Sequence, residues 1–237
     1  MDGPSAISAI TGLIDTVSRE RAARRQDPAL GCVAQAVRRY QAARFRSTYA
    51  DLLAHPSTRN AALFFLNELY GEQDFLERDA QFRRIVPALV RLFPGEVVNT
   101  VHQLAELHAL SEQLDSRMAA ALISAGQATA GDAMPLQAGE YGVAWRQVGE
   151  PAQRERQIEL VGLVGHSLLR YTTHPSLGRA LRLMRLPARA AGLSALQAFL
   201  ERGFDTFGAL PDAPLFIRTV TGRERELARL LFADSTG

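Results

Sequence analysis

Apolar residues recur at steps of three and four through nearly the whole chain, and runs of alternating β-branched residues are almost absent. A 3.6-residue period buries one stripe of a helix, whereas a half-buried strand needs strict alternation. The chain is therefore expected to be all-α, a multi-helix bundle of about ten helices forming a single globular domain over residues 1–237. Ile7, Ile10, Ile14 and Val17 mark a first helix. Leu30, Val33, Val37 and Tyr40 open a second, with Asp27 as its cap and Pro28 at its first position. That helix is expected to reach about Ala54, before His55-Pro56 interrupts it. Leu63, Leu66, Leu69 and Tyr70 belong to a third that Gly71 ends, and an Asp74/Glu77 cap starts a fourth with Pro87 as a kink. Glu96 to Ala125 is the longest clean element, and residues 126–139 are a candidate linker between subdomains. Tyr141 and Trp145 fall in a short segment, Pro151 to Tyr171 forms a helix, and His174-Pro175 repeats the His-Pro break.

Composition narrows the chemistry. The 27 basic residues are all arginine, so a lysine Schiff base, a phosphate-loop lysine and any catalytic lysine are excluded. A single cysteine, Cys32, excludes intrachain disulfides and multi-cysteine metal sites. Its neighbours Val33 and Ala36 suggest a small buried side chain rather than a nucleophile. The Met-Asp-Gly-Pro start lacks the charge order of a secretory signal, and no segment is apolar enough to span a bilayer, so a cytoplasmic location is expected. A formal charge of +2 gives no general field for nucleic acid.

The run Phe64-Phe65-Leu66-Asn67-Glu68-Leu69-Tyr70, followed by Gly71, Asp74, Phe75, Arg78 and Asp79, resembles a proteobacterial family of uncharacterised proteins named for an FFLEELY-like motif. Asn67 departs from that motif. The tracts Ala180 to Arg185 and Phe199 to Phe204 extend the resemblance over most of the chain. It implies no activity, because that family has none assigned.

The motif segment is apolar nearly all round, as expected of a central helix packed on several sides. Glu68 would then be buried, either as a site carboxylate or paired with Arg78 or Arg83. Phe64, Phe65, Glu68, Tyr70, Asp74, Arg78 and Asp79 together form a candidate buried polar site. His108, Ser111 and Asp115 lie on or near the buried side of the long helix, a polar inclusion suited to a hydrogen-bond network.

Two functions compete at this level. The first is a non-enzymatic binding module for a protein partner or for an apolar ligand held between helices; no cofactor is predicted. The second is a metal-dependent redox bundle with Glu68, His102, Glu106, Glu159 and His166 as ligands, although the wheels turn all but Glu68 toward solvent. Haem on one of the five histidines is a variant of it. A lesser alternative is polyanion binding by the stripe Arg179, Arg182, Arg185 and Arg189. The clusters Arg19 to Arg25 and Arg38 to Arg46 read mainly as solvated faces. No nucleophile elbow, helix-turn-helix or glycine-rich phosphate loop occurs.

Overall fold

A computed structural model describes residues 3–69, 76–127 and 135–233, and every regular element within them is helical. The helices are α1 (Gly3–Gln26), α2 (Pro28–Thr48), α3 (Ala50–Ala54), α4 (Arg59–Leu69), α5 (Leu76–Leu92) and α6 (Gly95–Ser124). They continue with α7 (Ala138–Val148), α8 (Pro151–Thr172), α9 (Pro175–Leu183), α10 (Arg185–Ala190), α11 (Ser194–Gly208) and α12 (Ala213–Ala233). Asp27 caps α2 as expected: its Oδ1 accepts from the Ala29 and Leu30 amides at 3.0 and 3.1 Å, and Pro28 follows. The expected single helix from Leu30 to Ala54 is broken at Tyr49, which serves as C-cap of α2 and N-cap of α3. Pro87 sits inside α5 without ending it. Tyr70, Gly71, Asp74 and residues 128–134 of the linker candidate lie outside the described residues.

α6 is the axis of the molecule, packed by α1, α2, α7 and α8. Leu114, Met118 and Leu122 are fully buried along it. One core cluster joins Val33 and Val37 to Met118, Leu122, Tyr141 and Trp145. A second joins Phe45, Tyr49, Phe65, Phe207, Phe216 and Ile217. Smaller clusters lie around Ile10, Ile14, Val86 and Ala105, and around Leu107, Leu110, Leu114 and Leu160. Gly31 lets α2 start hard against α1, because a Cβ there would lie 2.6 Å from the Arg24 carbonyl oxygen.

Two expectations are corrected here. Cys32 is exposed, because the buried stripe of α2 is Val33, Ala34 and Val37, and the residue before Val33 projects about 100° away from it. α4 is not apolar-packed all round: Ala61, Ala62, Phe65 and Leu66 are buried, but Leu63 is exposed.

Candidate functional site

Helices α1, α4, α5, α6, α8 and α11 surround an apolar cavity of about 290 Å³. It borders three of the four core clusters rather than interrupting one of them. Along α6 its wall runs from Val97 to Ser111, about 21 Å at the helical rise of 1.5 Å per residue. The space is therefore long and narrow. Phe64, Phe82, Leu104, Val164, Leu168 and Phe199 supply much of the wall. Leu200 also lines it and is itself exposed, which marks an opening on the α11 side.

Polar groups meet this wall near its two ends. Near the start of α6 the Thr100 and Tyr171 hydroxyls lie 2.9 Å apart. Two to three turns further on, Glu68, Arg78, Asp79 and His108 converge from α4, α5 and α6. Glu68 accepts from Arg78 Nη1 at 2.7 Å and from Arg202 Nη2 at 2.8 Å. The Arg78 guanidinium also stands 4.7 Å from the Phe199 ring centroid, stacking charge on an aromatic wall residue. Asp79 Oδ2 takes His108 Nε2 at 3.0 Å and Arg21 Nη1 at 2.8 Å. Burial acts first on both members of the adjoining pair. It lowers the Arg78 pKa despite Asp79 and Glu68, whereas at Asp79 its upward push is outweighed by the His108 hydrogen bond and by the charges of His108, Arg21 and Arg78.

From Asp79 the charges continue into the protein. Arg21 donates through Nε and Nη2 to Glu112 Oε1 at 3.1 and 2.9 Å. Arg24 and Arg38 both donate to Glu112 Oε2, and Arg24 reaches Ser116 Oγ at 2.8 Å. Arg38 Nε then meets Asp115 Oδ2 at 3.1 Å, and Gln41 Nε2 donates to Asp115 Oδ1 at 3.1 Å. Burial alone would raise the Glu112 pKa, yet the charges of Arg38, Arg21 and Arg24 hold it down at about 2. Asp115 goes the other way, because its burial outweighs the attraction of Arg38 and Glu112 repels it as well. Arginine suits such a junction, since its planar fork carries several donors to one carboxylate. The network fixes α1, α2, α5 and α6 against one another and thereby sets the position of the cavity's polar end.

Of the candidate site residues, Phe64, Phe65, Glu68, Arg78 and Asp79 lie in the cavity wall. Of the two expected partners of Glu68, Arg78 binds it while Arg83 pairs with Asp15; Arg202 is an addition from α11. His108 and Ser111 also reach the wall, while Asp115 belongs to the network behind it. Ser111 donates to the Leu107 carbonyl at 2.8 Å and accepts from Gln157 at 2.8 Å, so its proton is committed to its own helix.

The proposed metal ligands do not assemble. Glu106 and Glu159 share Arg156, each at 2.8 Å, Glu68 holds its two arginines, and His166 Nδ1 lies 2.7 Å from the Gly162 carbonyl. No group of three or more His, Cys, Asp or Glu side chains among the described residues is placed to hold an ion. The expectation that the first two arginine clusters are solvated is also corrected: Arg21, Arg24 and Arg38 enter the network, and Arg44 pairs with Glu224 at 3.0 Å. Within the later stripe, Arg182 binds Asp205 at 2.9 Å and Arg185 binds Glu201 at 2.7 Å, whereas Arg179 and Arg189 are exposed. Glu112 was not singled out by the sequence. Its spacing of four from His108 and three before Asp115 is the signal that identifies it, because these intervals place all three on one side of α6.

No curated protein and no solved structure matches the chain. A family described as a domain of unknown function (DUF8198) matches residues 20–237. The chain belongs to that family, and the match includes every residue of the cavity wall except Ile14 and Val17.

Proposed function

We propose that this member of the DUF8198 family is a non-enzymatic binding module that holds an elongated apolar small molecule between its helices. The carrying observation is a narrow, largely aliphatic and aromatic cavity whose wall ends at a cluster of charged groups. The apolar chain of the ligand lies along α6 between Val97 and His108, and a small polar head meets Arg78, Asp79 and His108. Native interiors are close-packed, and unfilled apolar volume costs roughly 24 cal/mol per Å³. A space of about 290 Å³ that opens beside Leu200 leaves apolar wall side chains without packing partners, which a ligand supplies. Both carboxylates at the polar end already have arginine partners, so the head needs no compensating charge of its own and is recognised by hydrogen bonds.

The reading is tested by thermal unfolding against single-chain amphiphiles matched in length but differing in head: acid, alcohol and amine. Mass action raises stability by about 2.7 kcal/mol at a hundredfold excess over Kd, which for a chain of this size is a rise of roughly 5–10 °C. At least one long-chain series is expected to produce that rise, increasing with chain length, with none from acetate or ethanol. No rise with any long-chain compound overturns the reading.

A further inference from the structure

Charge is strongly segregated late in the chain. Between Glu159 and Glu201 there is no acidic residue, while Arg170, Arg179, Arg182, Arg185 and Arg189 fall in that interval. α9 and α10 occupy its middle; α9 packs on α8, and both pack on α11. On that side Gly178 lets α9 close onto Phe204, since a Cβ there would sit 2.7 Å from the ring. Gln197 Nε2 donates to the Leu181 carbonyl at 2.6 Å, and the Arg182–Asp205 and Arg185–Glu201 pairs clamp the same seam. The other side is open. Leu183 is 79% exposed and Leu186 78%, with Met184 and Leu177 also exposed. A single exposed leucine is ordinary, but here four large apolar side chains occupy ten consecutive residues on two short arginine-bearing helices.

We propose that the α9–α10 face docks on an anionic lipid bilayer. Leucine and methionine enter the headgroup boundary, and Arg179 and Arg189 meet lipid phosphates, the division of labour of an interfacial amphipathic element. No helix among the described residues is long and apolar enough to cross a membrane, so the contact is a surface one. A second copy fits this face poorly: a twofold contact would set the exposed Arg179 and Arg189 against the same arginines of the other copy. α11, the helix that carries α9, lines the cavity and exposes Leu200 at its opening. Docking would thus bring the opening toward a source of apolar chains, a role that rests on the cavity reading; the docking itself does not.

The test is flotation of the full chain with vesicles of phosphatidylcholine, alone or mixed with phosphatidylglycerol, for wild type and the double variant Leu183→Asp/Leu186→Asp. Both leucines are too exposed for the substitutions to disturb the core, which circular dichroism and gel filtration verify. Wild type is expected to float with the phosphatidylglycerol vesicles and not with phosphatidylcholine alone, and to be released by salt. The double variant should lose at least about tenfold in vesicle affinity. Absence of wild-type flotation on the anionic vesicles at low salt overturns the proposal, as does flotation that the variant retains. A wild-type dimer that the variant dissociates, without flotation, overturns it in favour of a second copy. Uptake of a dansyl-labelled fatty acid from vesicle-free solution is read in parallel. If flotation behaves as expected and neither the acid nor the matching long-chain alcohol or amine is taken up, the cavity reading fails while docking stands.

Discussion

Replacing Glu112 by glutamine removes the one carboxylate that three arginines share. Its side chain is 4% exposed, against 7% for Arg21 and 9% for Arg24, so little water can replace the lost charge. The fall of the Glu112 pKa from 4.5 to about 2 corresponds to about 3 kcal/mol at about 1.4 kcal/mol per pH unit. Breaking one side of a buried ion pair independently costs about 3–5 kcal/mol. The variant is therefore expected to lose about 3–5 kcal/mol at pH 7, or roughly 6–20 °C in melting temperature. The sign of its pH dependence follows from the depressed folded-state value. Glu112 stabilises the fold fully above its ordinary pKa of 4.5 and loses that contribution as the pH falls toward about 2. Urea unfolding of both proteins from pH 7 down to pH 2.5 measures this. The gap between wild type and Glu112→Gln should be widest at neutral pH and shrink below the ordinary pKa. A loss under about 1 kcal/mol at pH 7, or a gap that does not change with pH, refutes the buried junction.

Three further outcomes are expected. Glu68→Gln removes the carboxylate shared by half-buried Arg78 and exposed Arg202, and should cost about 1–3 kcal/mol in urea unfolding; unchanged stability contradicts the pairing. Gly31→Ala forces a Cβ against the Arg24 carbonyl, a backbone atom that cannot rotate away, and should cost at least about 1–3 kcal/mol; an increase in melting temperature shows that the α1–α2 corner is looser than described. Cys32, exposed on α2, should react with a thiol reagent in the native state about as fast as in urea, and strong native protection would place it in the core after all.

Much of the fold is legible in the sequence because local signals decide it. The Asp27-Pro28 cap, the two His-Pro breaks and the thirty-residue α6 each depend on residues close in sequence. The Glu68–Arg78 pair is legible for the same reason, being ten residues apart. The junction at Glu112 is not, since its arginines come from 91, 88 and 74 residues away on two other helices. A helical wheel assumes one buried stripe, whereas α6 is packed by α1, α2, α7 and α8, so polar positions beside the stripe are buried too. Cys32 shows the opposite error: apolar neighbours place it near the stripe, but only the packing of α2 decides on which side of it the thiol falls. The Arg182 and Arg185 pairs with Asp205 and Glu201 likewise depend on how α9 and α10 fold back on α11.

The central claim is that the cavity is a ligand site rather than a packing defect, and equilibrium titration with a dansyl-labelled fatty acid tests it most directly when wild type is compared with Leu104→Trp. Leu104 faces the middle of the cavity wall, so the indole fills the space a chain would occupy. Saturable, equimolar binding by wild type is predicted, with at least about tenfold weaker binding by a variant that melts no lower, since filling a void restores packing. Absence of saturable binding by wild type of the labelled acid and of the matching long-chain alcohol and amine, or equal binding by the filled variant, contradicts the account.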